Sequence, residues 1–214
     1  MSDLKVKTGT IRELTQDAVI PAESKKIIED LNEKIKSDSN NTSLLIKKAF
    51  IYFDAHADGK AIDILEDVIK IDPNCIDAYV WLAEIYIYGW GDYKMAKKEL
   101  LTAKKVGSRP DIYKLLADVY RDEGDKSLEK ECLEKALKLG PDWILPRISL
   151  IYYYIFEGNL EDAKKELKIV ESLIGKTKEP TDALQAYYEN LISGRTIQKD
   201  ELILKEAFEK LKRS

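Results

Sequence analysis

Side chains able to act as nucleophile, base or metal ligand are few in this chain. It holds one histidine, His56, and two cysteines, Cys75 and Cys132, which lie 57 residues apart. An active site needs such groups in sets that converge, and metal ligands come at short, recognisable spacings. Neither pattern occurs. The Gly89-Trp90-Gly91 cluster lacks the spacing of a phosphate-binding loop and reads as a loop carrying one inserted residue. Carboxylates are abundant, but on solvated helices that abundance is what charge pairing produces. The chain is therefore expected to be non-catalytic, with no metal and no cofactor.

The elements that must position any other function are set by composition first. With 214 residues, 44% hydrophobic and 35% charged, the chain can build a core. Only 6 prolines and 10 glycines interrupt it, so no long linker is expected. A net charge of −4 and a pI near 5.3 argue against a general nucleic-acid binder, which needs a basic face to neutralise phosphates. No run of about 18 apolar residues occurs, so no membrane insertion is expected. Met1 to Ile20 is polar and mixed, without the apolar stretch of a signal peptide, and the cysteines read as reduced thiols; both point to the cytoplasm. Asn40-Asn41-Thr42-Ser43 reads as a turn.

Order enters through a repeat. Tyr52, Tyr86, Tyr120, Tyr154 and Tyr188 fall 34 residues apart. Four residues before each stand Lys48, Leu82, Leu116, Leu150 and Leu184, and three before stand Ala49, Ala83, Ala117, Ile151 and Gln185. Spacings of three and four place these columns on one helical face. A second helical pattern follows in each unit: Ala61, Leu65 and Val68; Ala96, Leu100 and Ala103; Leu133 and Ala136, with Glu129 where a small residue is expected; Ala163, Leu167 and Val170. Gly124-Asp125 and Gly158-Asn159 break the chain between paired helices, and Pro73 and Pro141 mark unit boundaries.

These columns resemble the tetratricopeptide repeat, a helix-turn-helix unit of 34 residues with a Leu-small-x-x-Tyr signature and a later small residue. The resemblance implies an all-α fold, a right-handed α-solenoid of antiparallel helix pairs with about 11 helices. Four units are expected at 42–75, 76–109, 110–143 and 144–177, with a degenerate fifth unit and a closing helix over 178–214. A capping helix is expected within 21–41, built on Ile27, Ile28, Leu31 and Ile35, after an N-terminal arm over 1–20. In this frame His56 is an exposed turn histidine, Cys75 lies at a unit boundary, and Cys132 packs on the inner face of a second helix.

Proteins of this family bind partners along the concave groove lined by the first helices of successive units. Carried over by register, the groove stripe runs through Ile46, Phe50, Phe53 and Asp54, then Asp77, Val80, Glu84, Ile87 and Tyr88. It continues through Asp111, Lys114, Asp118, Arg121 and Asp122, then Ile148, Tyr152, Ile155 and Phe156, with Glu179, Asp182 and Glu189 in the fifth unit. The stripe counts nine acids against two bases, or −7 in a chain of −4, so everything else sums to +3. Large aromatics on this face are not needed for repeat packing and mark contacts.

The resemblance thus implies a protein-protein interaction module, its acidic and aromatic groove taking an amphipathic or basic segment of a partner. An inhibitor, immunity protein or chaperone that wraps a folded partner is the alternative. Members that grip the C-terminal carboxylates of heat-shock chaperones use lysine, asparagine and arginine on these helices. The matching columns here hold Ile46, Phe50, Trp81, Asp111 and Leu115, so that ligand is not expected.

Overall fold

The computed structural model describes residues 19–174, and every regular element among them is helical. The chain divides into two compact units between Glu129 and Lys130. The first contains α1 (Ala22–Ser37), α2 (Thr42–Asp54), α3 (Asp58–Ile71), α4 (Ile76–Glu84), α5 (Tyr93–Val106) and α6 (Pro110–Glu123). The division falls inside α7 (Lys126–Leu139), and the second unit holds α8 (Ile144–Phe156) and α9 (Leu160–Ile174). Nine α-helices thus lie among the described residues; the arm over 1–18, the fifth unit and the closing helix fall outside them.

Within each compact unit, α2 with α3, α4 with α5 and α8 with α9 pack as pairs because the alanine columns let their backbones approach. Ala49, Ala83 and Ala117 on the first helices, and Ala61, Ala96, Ala103, Ala136 and Ala163 on the second, are all buried. The large residues between them, Leu65, Leu100, Leu116 and Leu133, fill the remaining space, each burial contributing roughly 1.5–3 kcal/mol. The helix expected within 21–41 is α1, with Ile28 and Leu31 buried and Ile27 turned outward. Ile20, assigned by sequence to the arm, instead packs with Ile28 against Ala55 and Ala57. Glu129, which replaces a small residue, is nevertheless buried, with Arg121 of α6 at 4.0 Å.

The tyrosine ladder also orders the turns. The carbonyls of Tyr52, Tyr120 and Tyr154 accept hydrogen bonds from the backbone N–H five residues on, those of Ala57, Asp125 and Asn159, at 2.8–2.9 Å. The residue before each donor is left-handed: His56, Gly124 and Gly158, with φ of 56°, 76° and 73°. Asp125 and Asn159 then cap the next helix through their side chains.

The second repeat departs from this pattern, and the structure corrects the sequence reading there. Gly89-Trp90-Gly91 was expected as a loop; instead Ile85–Trp90 continues α4 as a π-helical turn. The wider turn absorbs the inserted residue. Tyr86 O therefore receives its bond from Asp92, six residues on at 2.7 Å, with Gly91 left-handed (φ 64°) and Asp92 capping α5 through Met95 N–H. The insertion is taken up inside the helix and the helix pairing is preserved.

Candidate functional site

In the first unit, α2 and α4 bring an aromatic cluster to the surface. Phe50, 42% exposed, meets the Trp81 ring edge-on with centroids 5.2 Å apart, and Phe53 approaches the same ring at 6.5 Å. Ile46 is half-buried and Asp54 exposed at opposite ends of this stretch of α2. Trp81 and Glu84 of α4 and Tyr88 of the π-helical turn that continues it follow one another at spacings of three and four. Tyr88 is 51% exposed.

Beside Tyr88 lies a buried charge network from α6. The Tyr88 hydroxyl donates to Asp118 Oδ2 at 3.0 Å and accepts from Lys114 Nζ at 2.8 Å. Lys114 also reaches Asp118 Oδ2 at 2.5 Å, and Arg121 donates to Asp118 Oδ1 at 2.7 Å. Burial by itself would push the Asp118 carboxyl up; the charges of Lys114 and Arg121, with the bonds from Lys114 and Tyr88, hold it below the usual carboxylate range. Arg109, just before α6, bridges Asp77 of α4 and Asp111 of α6.

Glu84 differs from these acids. It is half-buried, and among the described residues its carboxylate takes part in no hydrogen bond or ion pair. Burial pushes it up to about 7, with Lys114 pulling down and Asp111 adding to the rise.

The structure therefore spreads the predicted stripe over several environments. Phe50, Asp54, Asp77, Tyr88 and Arg121 are exposed, and Ile46, Phe53 and Glu84 are half-buried. Val80 and Ile87 face the core, while Lys114 and Asp118 are buried against each other. In the second unit Ile148, Tyr152 and Ile155 are buried, Ile155 packing with Ile151, Ala163 and Val170, whereas Phe156 is 46% exposed. Of the nine stripe acids, Glu179, Asp182 and Glu189 lie outside the described residues. Over the described residues the stripe holds six acids and two bases, or −4, and Arg109, which bridges two of those acids, brings the sum to −3.

Trp81 and Arg109 were not assigned to the site from sequence. Trp81 had a legible signal, since it precedes Glu84 by three residues on the same helical face. Arg109 had none, because its partners Asp77 and Asp111 belong to different helices. Away from this face, His56 is exposed in its turn, Cys75 is half-buried and Cys132 is buried. No described helix is long and apolar enough to cross a membrane.

Residues 110–142 match the tetratricopeptide repeat family. No curated protein matches the sequence. Among solved structures, MamA is 23% identical with a TM-score of 0.60, covering 79% of this chain and 96% of its own. TTC0263 of Thermus thermophilus, a thermophilic TPR protein, is 17% identical with a TM-score of 0.64, covering 86% and 98%. YrrB, described as a TPR protein with an unusual peptide-binding site, is 19% identical with a TM-score of 0.58, covering 85% and 99%.

Proposed function

Since the chain is a tetratricopeptide-repeat protein, we propose that it is a non-catalytic interaction module and that the α2–α4 face binds an amphipathic, cationic segment of another protein. The observation that carries this reading is the exposure of Phe50 and Tyr88 on either side of Trp81 and Glu84. Repeat packing is satisfied by the alanine and leucine columns behind them, so these rings are not spent on the core. Exposed aromatics beside a carboxylate suit a segment that presents apolar anchors on one face and cations at its margin. A peptide-binding role in YrrB, a structure of similar fold, is consistent with this use of the scaffold.

The remaining acids sharpen the expected ligand. Asp54 is exposed, and Glu84 lacks a paired cation among the described residues, so both carboxylates suit a cationic ligand better than an anionic tail. The same argument disfavours a chaperone C-terminal carboxylate or a nucleic acid as ligand.

Fluorescence titration with a synthetic amphipathic helix bearing leucines and lysines tests the reading. Phe50→Ala combined with Tyr88→Ala is expected to weaken binding by about tenfold or more, as loss of two aromatic anchors does. Unchanged affinity in a variant with native helical content overturns it.

A further inference from the structure

We propose that Glu84, one helical turn from Trp81 and one from Tyr88, is the socket for a lysine or arginine side chain of the partner segment, a proposal that rests on the α2–α4 face being the binding face. Three observations converge on this carboxylate.

The first is its lack of a partner. Every other acid of the first unit's stripe that sits near a cation is already held by one: Asp77 and Asp111 by Arg109, Asp118 by Lys114 and Arg121. Glu84 takes part in no hydrogen bond or ion pair among the described residues. A half-buried carboxylate without a bonded cation is costly, and an incoming ammonium or guanidinium relieves that cost.

The second is that the cations nearby are committed elsewhere. Lys114 acts on Glu84 electrostatically, but its ammonium bonds Asp118 and the Tyr88 hydroxyl. The hydroxyl is thereby held from below, which fixes the Tyr88 ring at the edge of the site and leaves half its surface open. The cation that completes the Glu84 position must therefore come from outside this group.

The third is the adjoining ring. Lys114 Nζ already lies 5.5 Å from the Tyr88 centroid, and Trp81 precedes Glu84 by three residues on α4, so Trp81 is the ring on offer to a cation at Glu84. Phe50, edge-on to Trp81, supplies the adjoining apolar ground for the rest of the segment. An apolar or anionic residue gains nothing from this carboxylate.

Protonation gives the proposal a signature. The charged groups acting on Glu84 are Lys114 and Asp111, both of α6; none of α2, α3 or α5 does so. Burial leaves Glu84 titrating at about 7, so much of it is neutral in the free protein at neutral pH. A docked cation favours the ionised form, so binding expels a proton and tightens as pH rises.

The test is calorimetric titration of the full chain with a leucine-lysine amphipathic helix at pH 6, 7 and 8, in two buffers of different ionisation heat. Affinity is expected to rise by up to about tenfold from pH 6 to pH 8, with about half a proton released at pH 7. Glu84→Gln is expected to flatten the pH profile and abolish the release, and acetylating the peptide lysines to do the same. A His56→Gly background is expected to keep the profile, which assigns the proton to Glu84. If Glu84→Gln retains both affinity and proton release while Phe50→Ala with Tyr88→Ala loses binding, the socket is overturned and the binding face stands. If neither variant changes binding, both fall.

Discussion

The indole Nε1 of Trp90 donates to Asp58 Oδ2 at 3.1 Å, tying the end of the π-helical turn to the first residue of α3. Asp58 is buried, and its second oxygen, Oδ1, has no hydrogen-bond partner among the described residues. Burial pushes its carboxyl up, against the Trp90 bond and the nearby His56. The inserted turn thus supplies the side-chain donor that reaches this carboxylate.

Trp90→Phe removes that donor and leaves the buried Asp58 carboxylate without its indole bond. A loss of about 1–3 kcal/mol in urea unfolding is expected. Gly89→Ala is expected to destabilise as well, although alanine is the better helix former by roughly 1 kcal/mol. A Cβ at Gly89 would stand 2.6 Å from Asp58 Oδ2, so the carboxylate must move and lose its indole bond. A gain in stability for Gly89→Ala contradicts this account.

His56 occupies the left-handed position that Gly91, Gly124 and Gly158 fill in the other turns. His56→Gly is expected to raise stability by about 0.5–1 kcal/mol, relief of the backbone conformation outweighing the added freedom of the unfolded chain. Gly124→Ala is the converse. Nothing lies within 4 Å of its Cβ position, so its loss of about 1 kcal/mol is expected from conformation alone. Thermal unfolding of the two variants side by side checks both signs.

Asp118→Asn removes the carboxylate that compensates Lys114, which is itself buried. Breaking a buried pair from one side is expected to cost about 3–5 kcal/mol. Because the folded carboxyl of Asp118 lies below the usual range, its contribution is present above the ordinary carboxylate pKa and disappears as pH falls through the folded value. Acid unfolding of Asp118→Asn is therefore expected to depend less steeply on pH than that of the parent. Equal steepness overturns the assignment.

Glu84 has the opposite sign. Its folded pKa of about 7 exceeds that of the unfolded chain, so its contribution is complete below the unfolded value near 4.5 and is lost as pH rises through about 7. Glu84→Gln is expected to gain about 1–2 kcal/mol over the parent at pH 8, a value reduced for incomplete burial, and to show a smaller gain at pH 5. Urea unfolding at the two pH values measures the difference. An equal effect at both removes the burial argument.

What the sequence determined by itself is everything that repeats at short range. The tyrosine ladder, the alanine columns and the glycines after the helices specify helix faces, pair packing and turns, because each acts on residues within one unit or the next. The exposed rings of Phe50 and Tyr88 were legible for the same reason, as departures from a packing pattern that had no need of them.

Only the tertiary structure decided which charges remain unpaired. Counting signs along the stripe gave a strongly acidic groove, but Arg109 reaches Asp77 and Tyr88 reaches Asp118 across 32 and 30 residues. Trp90 likewise finds Asp58 across 32 residues, through a π-helical turn that no local pattern announces. Hydrogen bonds and ion pairs depend on ångström distances between different helices, whereas hydrophobic periodicity depends on angle along one. That is why Glu84, one acid among many in the sequence, is distinguished only once its neighbours are seen to have found their partners.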